Sequence, residues 1–282
     1  MEVIKHPKDI FNLTRGLQKE GKKIGLVPTM GALHLGHFSL IEAARNANDN
    51  VVVSIFVNPL QFNREEDLLN YPRTLEQDIE SLKSLNVDVL YCPEASDMYL
   101  SKPKISIDFG SLADTMEGHF RPGHFSGVGV IVTKLFNQIN PDRAYFGLKD
   151  LQQFLLIKKM TEELSSPVEV VGLPTARTDS GLARSSRNMR LSKNGLDISA
   201  NIYQGLQLAK DRWNTHTEVE IVKAEVMEFY QAIDGLEIEY FSIVNPSDLR
   251  DLEFNNSQSV AFCVAGYVEG VRLIDNLYLP QD

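Results

Sequence analysis

Val27-Pro-Thr-Met-Gly-Ala-Leu-His-Leu-Gly-His37 decides how this chain is read. An apolar run, Ile24-Gly-Leu-Val27, precedes it, and an amphipathic segment, Phe38-Ser-Leu-Ile-Glu-Ala-Ala-Arg45, follows. The expected order is strand, tight turn, helix. Pro28 is expected to stop the strand, and Gly31 to let the backbone turn closely. His34 and His37 are three residues apart, which puts them on one face of a helix start. A helix start offers free N–H groups and a partial positive charge. Two imidazoles beside it make a site for a polyphosphate. Gly36 removes a side chain where a ligand must come close.

The chain has 282 residues, of which 43% are hydrophobic and 23% charged. That suffices for a sizeable core in one large domain or two small ones. The net charge of −10 argues against bulk attraction to nucleic acid or to an anionic membrane, so any anionic ligand needs a local basic cluster. The two cysteines, Cys92 and Cys263, suggest reduced thiols rather than a disulfide framework. The N-terminal residues lack an apolar signal-like core, and no run approaches membrane-spanning length. A soluble cytoplasmic protein is the expectation.

Outward from the turn, strands and helices alternate. Residues 8–20 carry Ile10, Leu13 and Leu17 at helical spacing. Residues 51–57 form a continuous apolar run, as in a strand covered on both faces, ending in Asn58-Pro-Leu-Gln61. Residues 62–73 are polar and read as a mobile loop. Leu75, Ile79, Leu82 and Leu85 mark a helix, and 87–91 the next strand. Residues 117–127, rich in Gly, His and Arg, read as an ordered functional loop or a subunit contact. A helix at 130–139, a strand at 143–146, a helix at 151–164 and a strand at 168–171 follow. The fold class is therefore α/β, a Rossmann-like doubly wound parallel sheet. Ligands of such sheets sit at the carboxyl ends of strands, where the HLGH turn, 58–61, 147–150 and 174–177 all fall. From residue 193 the alternation stops. Helices at 193–213 and 217–233 and strands at 236–244, 259–268 and 271–279 suggest a smaller C-terminal α+β domain. The expected division is 1–179, binding the substrates, and 180–282, acting as a lid.

The motifs resemble one family. VPTMGALHLGH is similar to the HIGH-type signature of the nucleotidylyltransferase superfamily. With FVNPLQF (56–62), YPRT (71–74), GHFRPGHFSGV (118–128), FGLKDLQQ (146–153) and RSSRN (184–188), in this order, the chain resembles the pantoate–β-alanine ligases. The resemblance implies a two-step reaction. ATP and (R)-pantoate give pantoyl adenylate and pyrophosphate, and β-alanine then displaces AMP to give pantothenate. It also implies roles. His34, His37, Lys149, Ser185 and Arg187 would stabilise charge on the phosphates, with His37 protonated and transferring a proton. Met30, Gly31, Ala32, Leu33, Leu35, Gly36, Gly147, Leu148, Asp150, Ala176, Arg184 and Ser186 would complete the ATP site. Gln61 and Gln153 would hold pantoate's hydroxyls, and Gln61 would also meet β-alanine. Mg²⁺ would ride mainly on phosphate oxygens, with Asp78 a further contact. A homodimer is implied as well.

Two positions depart from the family's usual DGLAMSSRN: Ser180 stands for Asp and Arg184 for Met. Taken singly, each candidate also has an ordinary reading. The histidines fit a surface or metal pair, Lys149-Asp150 a solvated helix start, and Gln61 and Gln153 surface amides. Arg-Ser-Ser-Arg fits a solvated linker, and Asp78 a helix-surface carboxylate. A nucleotidylyltransferase acting on a phosphorylated acceptor such as phosphopantetheine is the second enzyme reading. Gln61 and Gln153 speak against it, since a phosphate would call for Arg or Lys.

Overall fold

Six short segments pair in parallel: β1 (Glu2–Ile4), β2 (Ile24–Thr29), β3 (Asn50–Ile55), β4 (Val89–Tyr91), β5 (Arg143–Gly147) and β6 (Glu169–Leu173). The computed structural model describes residues 1–63, 65–101, 103–213, 218–254 and 259–279. The strand order is β1-β4-β3-β2-β5-β6. Succession runs from β2 outward through β3 to β4 on one side and from β5 to β6 on the other. The order of succession thus reverses between the parallel strands β2 and β5, where ligands of open α/β sheets bind.

The helices of this part are α1 (Pro7–Lys19), α2 (Leu35–Ala47), α3 (Glu65–Leu69), α4 (Leu75–Ser84) and α5 (Ala95–Met98). Later in the chain come α6 (Met116–Phe120), α7 (His124–Ile139) and α8 (Leu151–Glu163). One cluster joins Val27, Val51, Val53, Leu90 and Tyr145 of the strands to Leu40, Ile41 and Ala44 of α2 and Leu82 of α4. The alternate strand residues Leu26, Val52 and Ala144 are fully buried too, so both faces of the sheet are covered. Each such Val, Leu or Ile contributes about 1.5–3 kcal/mol by leaving water. Among the described residues no helix is long and apolar enough to cross a membrane.

The chain divides into two compact units. The first holds the parallel sheet and comprises Met1–Gly110, Arg121–Leu148 and Leu156–Pro174. The second comprises Ser111–Phe120, Lys149–Leu155 and the chain from Thr175 on. In it α9 (Lys193–Arg212) and α10 (Val219–Gln231) pack on an antiparallel sheet of β7 (Glu237–Val244), β8 (Val260–Val268) and β9 (Val271–Leu279), in the order β7-β8-β9. Leu206, Val222, Val226, Tyr230, Phe262 and Val264 form its core.

Four expectations change. Pro28 does not stop β2, which runs to Thr29. Thr29 O accepts from Phe56 on the β3 side and Ile24 O from Asp142 on the β5 side. Alternation therefore turns the Pro28 nitrogen toward β5, where the register already ends at Leu26, and its missing N–H breaks no ladder bond. The 62–73 segment is not wholly irregular, since α3 lies within it; residue 64 is outside the described residues. The 117–127 stretch is mostly helical: α6 ends at Phe120 and α7 starts at His124, well before residue 130. The short edge strand β1 was not expected. The expected helix start at residue 217 lies outside the described residues.

Candidate active site

The turn after β2 is held in an uncommon backbone conformation. Gly31 and Ala32 both have positive φ, 82° and 50°. Asp78, on α4, keeps them there. Its Oδ2 accepts the N–H of Ala32 at 3.0 Å and the Thr74 hydroxyl at 3.2 Å, and its Oδ1 accepts the N–H of Leu33 at 2.8 Å. Successive N–H groups of such a turn form a nest for an anion, and here the anion is Asp78. With 3% exposure it is no surface carboxylate. Backbone donors reach both oxygens, which gives Asp78 a structural task at this turn besides the metal contact that the resemblance implies.

The histidines cap α2. His34 is the N-cap residue, and its Nδ1 accepts the N–H of Gly36 at 3.1 Å. His37 Nδ1 accepts the N–H of His34 at 3.3 Å, and the rings lie 4.1 Å apart between centroids. This is a capping box built from two imidazoles. It alters the expectation from sequence: the N–H groups of Ala32, Leu33, His34 and Gly36 are satisfied within the turn rather than offered to a phosphate. With Nδ1 of both rings turned to backbone N–H groups, Nε2 is the nitrogen that faces away from the turn's own bonds. Leu35 is half exposed beside them, and α2 packs over β2 and β5, whose last residue is Gly147. Leu148 follows in a short 3₁₀ turn.

Beyond β3 the chain turns at Pro59–Gln61, and Asn58 organises the turn. Asn58 Oδ1 accepts from Leu60 N at 3.3 Å and from the Tyr99 hydroxyl at 2.9 Å. Its Nδ2 donates to Gly127 O and to Gln61 Oε1, both at 3.1 Å. Gln61 Nε2 then points at Met30 Sδ, 2.9 Å away, and the His124 ring lies 2.8 Å from Gln61 O. Gln61 is 8% exposed, so the surface reading fails and the amide is held in a fixed direction. Burial pushes the Tyr99 hydroxyl up to about 12, which keeps it a donor to Asn58. The sequence marks 58–61 and 117–127 as segments but gives Asn58 and His124 no individual task, and it does not single out Tyr99. The Asn-Pro pair, a common turn starter, was the available signal.

The second unit carries the other candidates. Lys149, Ser185, Arg187, Asn188, Arg272 and Asp275 line a pocket there. Lys149 Nζ stands 3.7 Å from Asp150 Oδ1, and Gln153 is half-buried on α8. Ser185 Oγ caps a short 3₁₀ turn by accepting Arg187 N at 3.3 Å, with Ser186 the turn's first residue. Ahead of it, Arg184 N donates to Ala176 O at 2.9 Å, closing a narrow hairpin. The Arg184 side chain donates from Nε to Arg177 O at 3.3 Å, and Ser180 Oγ meets Thr178 Oγ1 at 2.9 Å. Both departures from the family pattern are therefore spent inside the hairpin. Asn188 Oδ1 is buried beside the pocket without a hydrogen-bond partner among the described residues.

Two charge networks support this pocket, and neither was anticipated. Arg177 grips Asp275 with two bonds, 2.6 and 3.0 Å, and stacks 3.7 Å over the Tyr203 ring. Burial raises the Asp275 carboxyl above its usual range, against the pull of Arg177. Arg272 donates twice to Glu117, at 2.8 and 2.7 Å, and also to Glu239. Burial pulls the guanidinium down, but the two glutamates hold it above its ordinary value. Gln152, rather than Gln153, joins the segments: its amide binds Glu117 N, Leu112 O and Thr115 O.

The model of the family described as pantoate–β-alanine ligase matches residues 2–278. This chain belongs to the pantoate–β-alanine ligase family. It is 43% identical over 268 residues to the pantothenate synthetase of Cytophaga hutchinsonii, covering 93% of each chain. It is 44% identical over 283 residues to that of Christiangramia forsetii, covering 99% of each. The crystal structure of pantothenate synthetase from Thermus thermophilus superposes with a TM-score of 0.91 at 39% identity, over 98% of this chain and 99% of that one. The pantoate–β-alanine ligase of Francisella tularensis, complexed with β,γ-ATP and β-alanine, gives 0.81 at 36% identity, over 99% and 97%. The ligase family and the α/β architecture expected from the motifs are both borne out.

Proposed function

We propose that this ligase condenses pantoate with β-alanine to pantothenate through a pantoyl adenylate. The observation that carries the reading is the His34–His37 capping box at the carboxyl end of β2, in a chain that matches the family over residues 2–278. A pantoate carboxylate oxygen attacks the α-phosphorus, and pyrophosphate leaves. The amine of β-alanine then attacks the acyl carbon. It loses a proton, and AMP leaves with the former carboxylate oxygen. No protein nucleophile is needed, because positioning and charge stabilisation lower the barrier.

Each group has a task suited to its surroundings. The Nε2 hydrogens of His34 and His37 donate to phosphate oxygens, on which charge grows in the transition state. Met30, Gly31, Ala32, Leu33, Leu35, Gly36, Gly147, Leu148, Asp150 and Ala176 form the walls of the adenosine site. Lys149, Ser185, Ser186 and Arg187 hold the β- and γ-phosphates, and the segment from residue 180 acts as a lid. Gln61 offers its amide hydrogens to pantoate. Its present acceptor, Met30 Sδ, is weak and is readily exchanged for a hydroxyl or carboxylate oxygen. Gln61 also meets the incoming β-alanine, and Gln153 offers pantoate a second amide. A Mg²⁺ ion bound with ATP would supply charge neutralisation at the phosphates. Among the described residues no group of three or more His, Cys, Asp or Glu could hold a metal. The protein works as a cytoplasmic homodimer.

Purified protein with ATP, Mg²⁺, pantoate and β-alanine tests the reading by AMP release. AMP that forms only when both acids are present supports it. No AMP, or AMP independent of the acids, overturns it.

A further inference from the structure

β9 carries two adjacent polar residues, Asp275 and Asn276, with exposures of 5% and 6%. Adjacent residues of a strand point to opposite faces. Asp275 grips Arg177, which also donates to Gly181 O at 3.0 Å and to Asn276 O at 3.1 Å. Arg177 opens the hairpin that runs into Ser185, and its partner across the hairpin is Ala183. The turn of that hairpin is Gly181, at φ 89°, where a Cβ would lie 2.6 Å from the same Tyr203 ring on which Arg177 stacks. The hairpin therefore has one seat, fixed by Asp275 and α9. On the other face, Asn276 Nδ2 donates to Lys149 O at 2.8 Å. Lys149, Ser185, Arg187 and Asp275 line one pocket.

We propose that Asp275 and Asn276 are positioning residues for ATP's phosphates: Asp275 seats the hairpin that delivers Ser185–Arg187, and Asn276 seats Lys149. This rests on the phosphate roles given above. Both act through the segments they hold, Arg177 for Asp275 and Lys149 for Asn276. Together they set the spacing between two cation-bearing segments that are far apart in sequence. A bidentate Arg–carboxylate pair suits this because it fixes direction as well as distance. The consequence is confined to the first half-reaction, where the β- and γ-phosphates are bound; they have left before β-alanine reacts.

The test uses Asp275→Asn and Asn276→Ala in the full-length protein. Pantoate-dependent exchange of labelled pyrophosphate into ATP reads the first half-reaction. Conversion of supplied pantoyl adenylate and β-alanine to pantothenate reads the second. The expected result for Asp275→Asn is an ATP KM raised about tenfold or more in exchange, with the second half-reaction within about twofold of wild type. Asn276→Ala should lower the exchange kcat with the same sparing of the second step. Should Asp275→Asn not fold, Asn276→Ala decides, since it deletes one hydrogen bond to Lys149. Equal losses in both half-reactions, or unchanged exchange, would overturn the inference. Wild-type protein without any exchange would instead remove the proposed activity, and this inference with it.

Discussion

The Asp78 carboxylate accepts the backbone N–H of Leu33 at 2.8 Å across 45 residues of sequence. With its second bond, to Ala32, it holds the HLGH turn from α4. Asp78→Ala leaves the buried Ala32 N–H and the part-buried Leu33 N–H without this acceptor, the buried one alone costing about 1–3 kcal/mol. Urea unfolding should show a loss of at least that size, together with a fall in activity that added Mg²⁺ does not restore. Full stability with activity rescued by Mg²⁺ would return Asp78 to the role of metal contact.

Gly127, on α7, packs against the Gln61 turn so closely that a Cβ there would lie 2.3 Å from Leu60 O. Gly127→Ala must displace the Leu60–Gln61 backbone, at a cost of about 1–3 kcal/mol. Steady-state kinetics should show the KM for pantoate raised about tenfold with that for ATP little changed. An equal rise in both would mean that the displacement is not local to Gln61.

The two histidines separate under substitution. His34→Asn keeps a side-chain acceptor at the N-cap, whereas His34→Ala removes it and costs about 1 kcal/mol of stability. Both lose the Nε2 donor, so both should slow adenylation while only the alanine variant melts lower. His37→Ala should lower the adenylation rate about 10²–10³-fold with the fold intact. Near-normal turnover would remove His37 from the mechanism.

Burial pushes the Cys263 thiol up to about 12 from an ordinary value near 9, and the Cys92 thiol moves the same way. The folded state therefore holds these protons more tightly than the unfolded chain, whose thiols titrate near about 8.5. Their contribution to stability is whole below that pH and is lost as pH rises from there toward about 12. Melting temperature should fall across this range, and less steeply in Cys263→Ala. Identical slopes would contradict the buried-thiol account. Neither thiol should react with alkylating reagents at neutral pH until the protein unfolds.

The parallel sheet was legible because strands buried on both faces are continuous apolar runs, as in Val51-Val-Val-Ser-Ile. The HLGH turn was legible as a strand–turn–helix junction. β1 was hidden because three residues with two exposed carry no pattern. The start of α7 was hidden by Gly123, Gly127 and Gly129, which suggest a loop; Gly127 is small because Leu60 O must approach, not because the chain bends. Most of the partners that aim the candidate side chains were invisible. Asp78 to Leu33, Asn58 to Gln61 and Gly127, and Asp275 to Arg177 mostly join distant segments, and spacing alone cannot reveal a contact made through the fold.

The adenylate is the centre of the account, and an oxygen label follows it directly. Pantoate carrying ¹⁸O in its carboxylate is turned over with ATP and β-alanine, and the released AMP is weighed by mass spectrometry. Attack on the α-phosphorus predicts that one ¹⁸O passes from pantoate into AMP. Unlabelled AMP, or label recovered in inorganic phosphate, would contradict it.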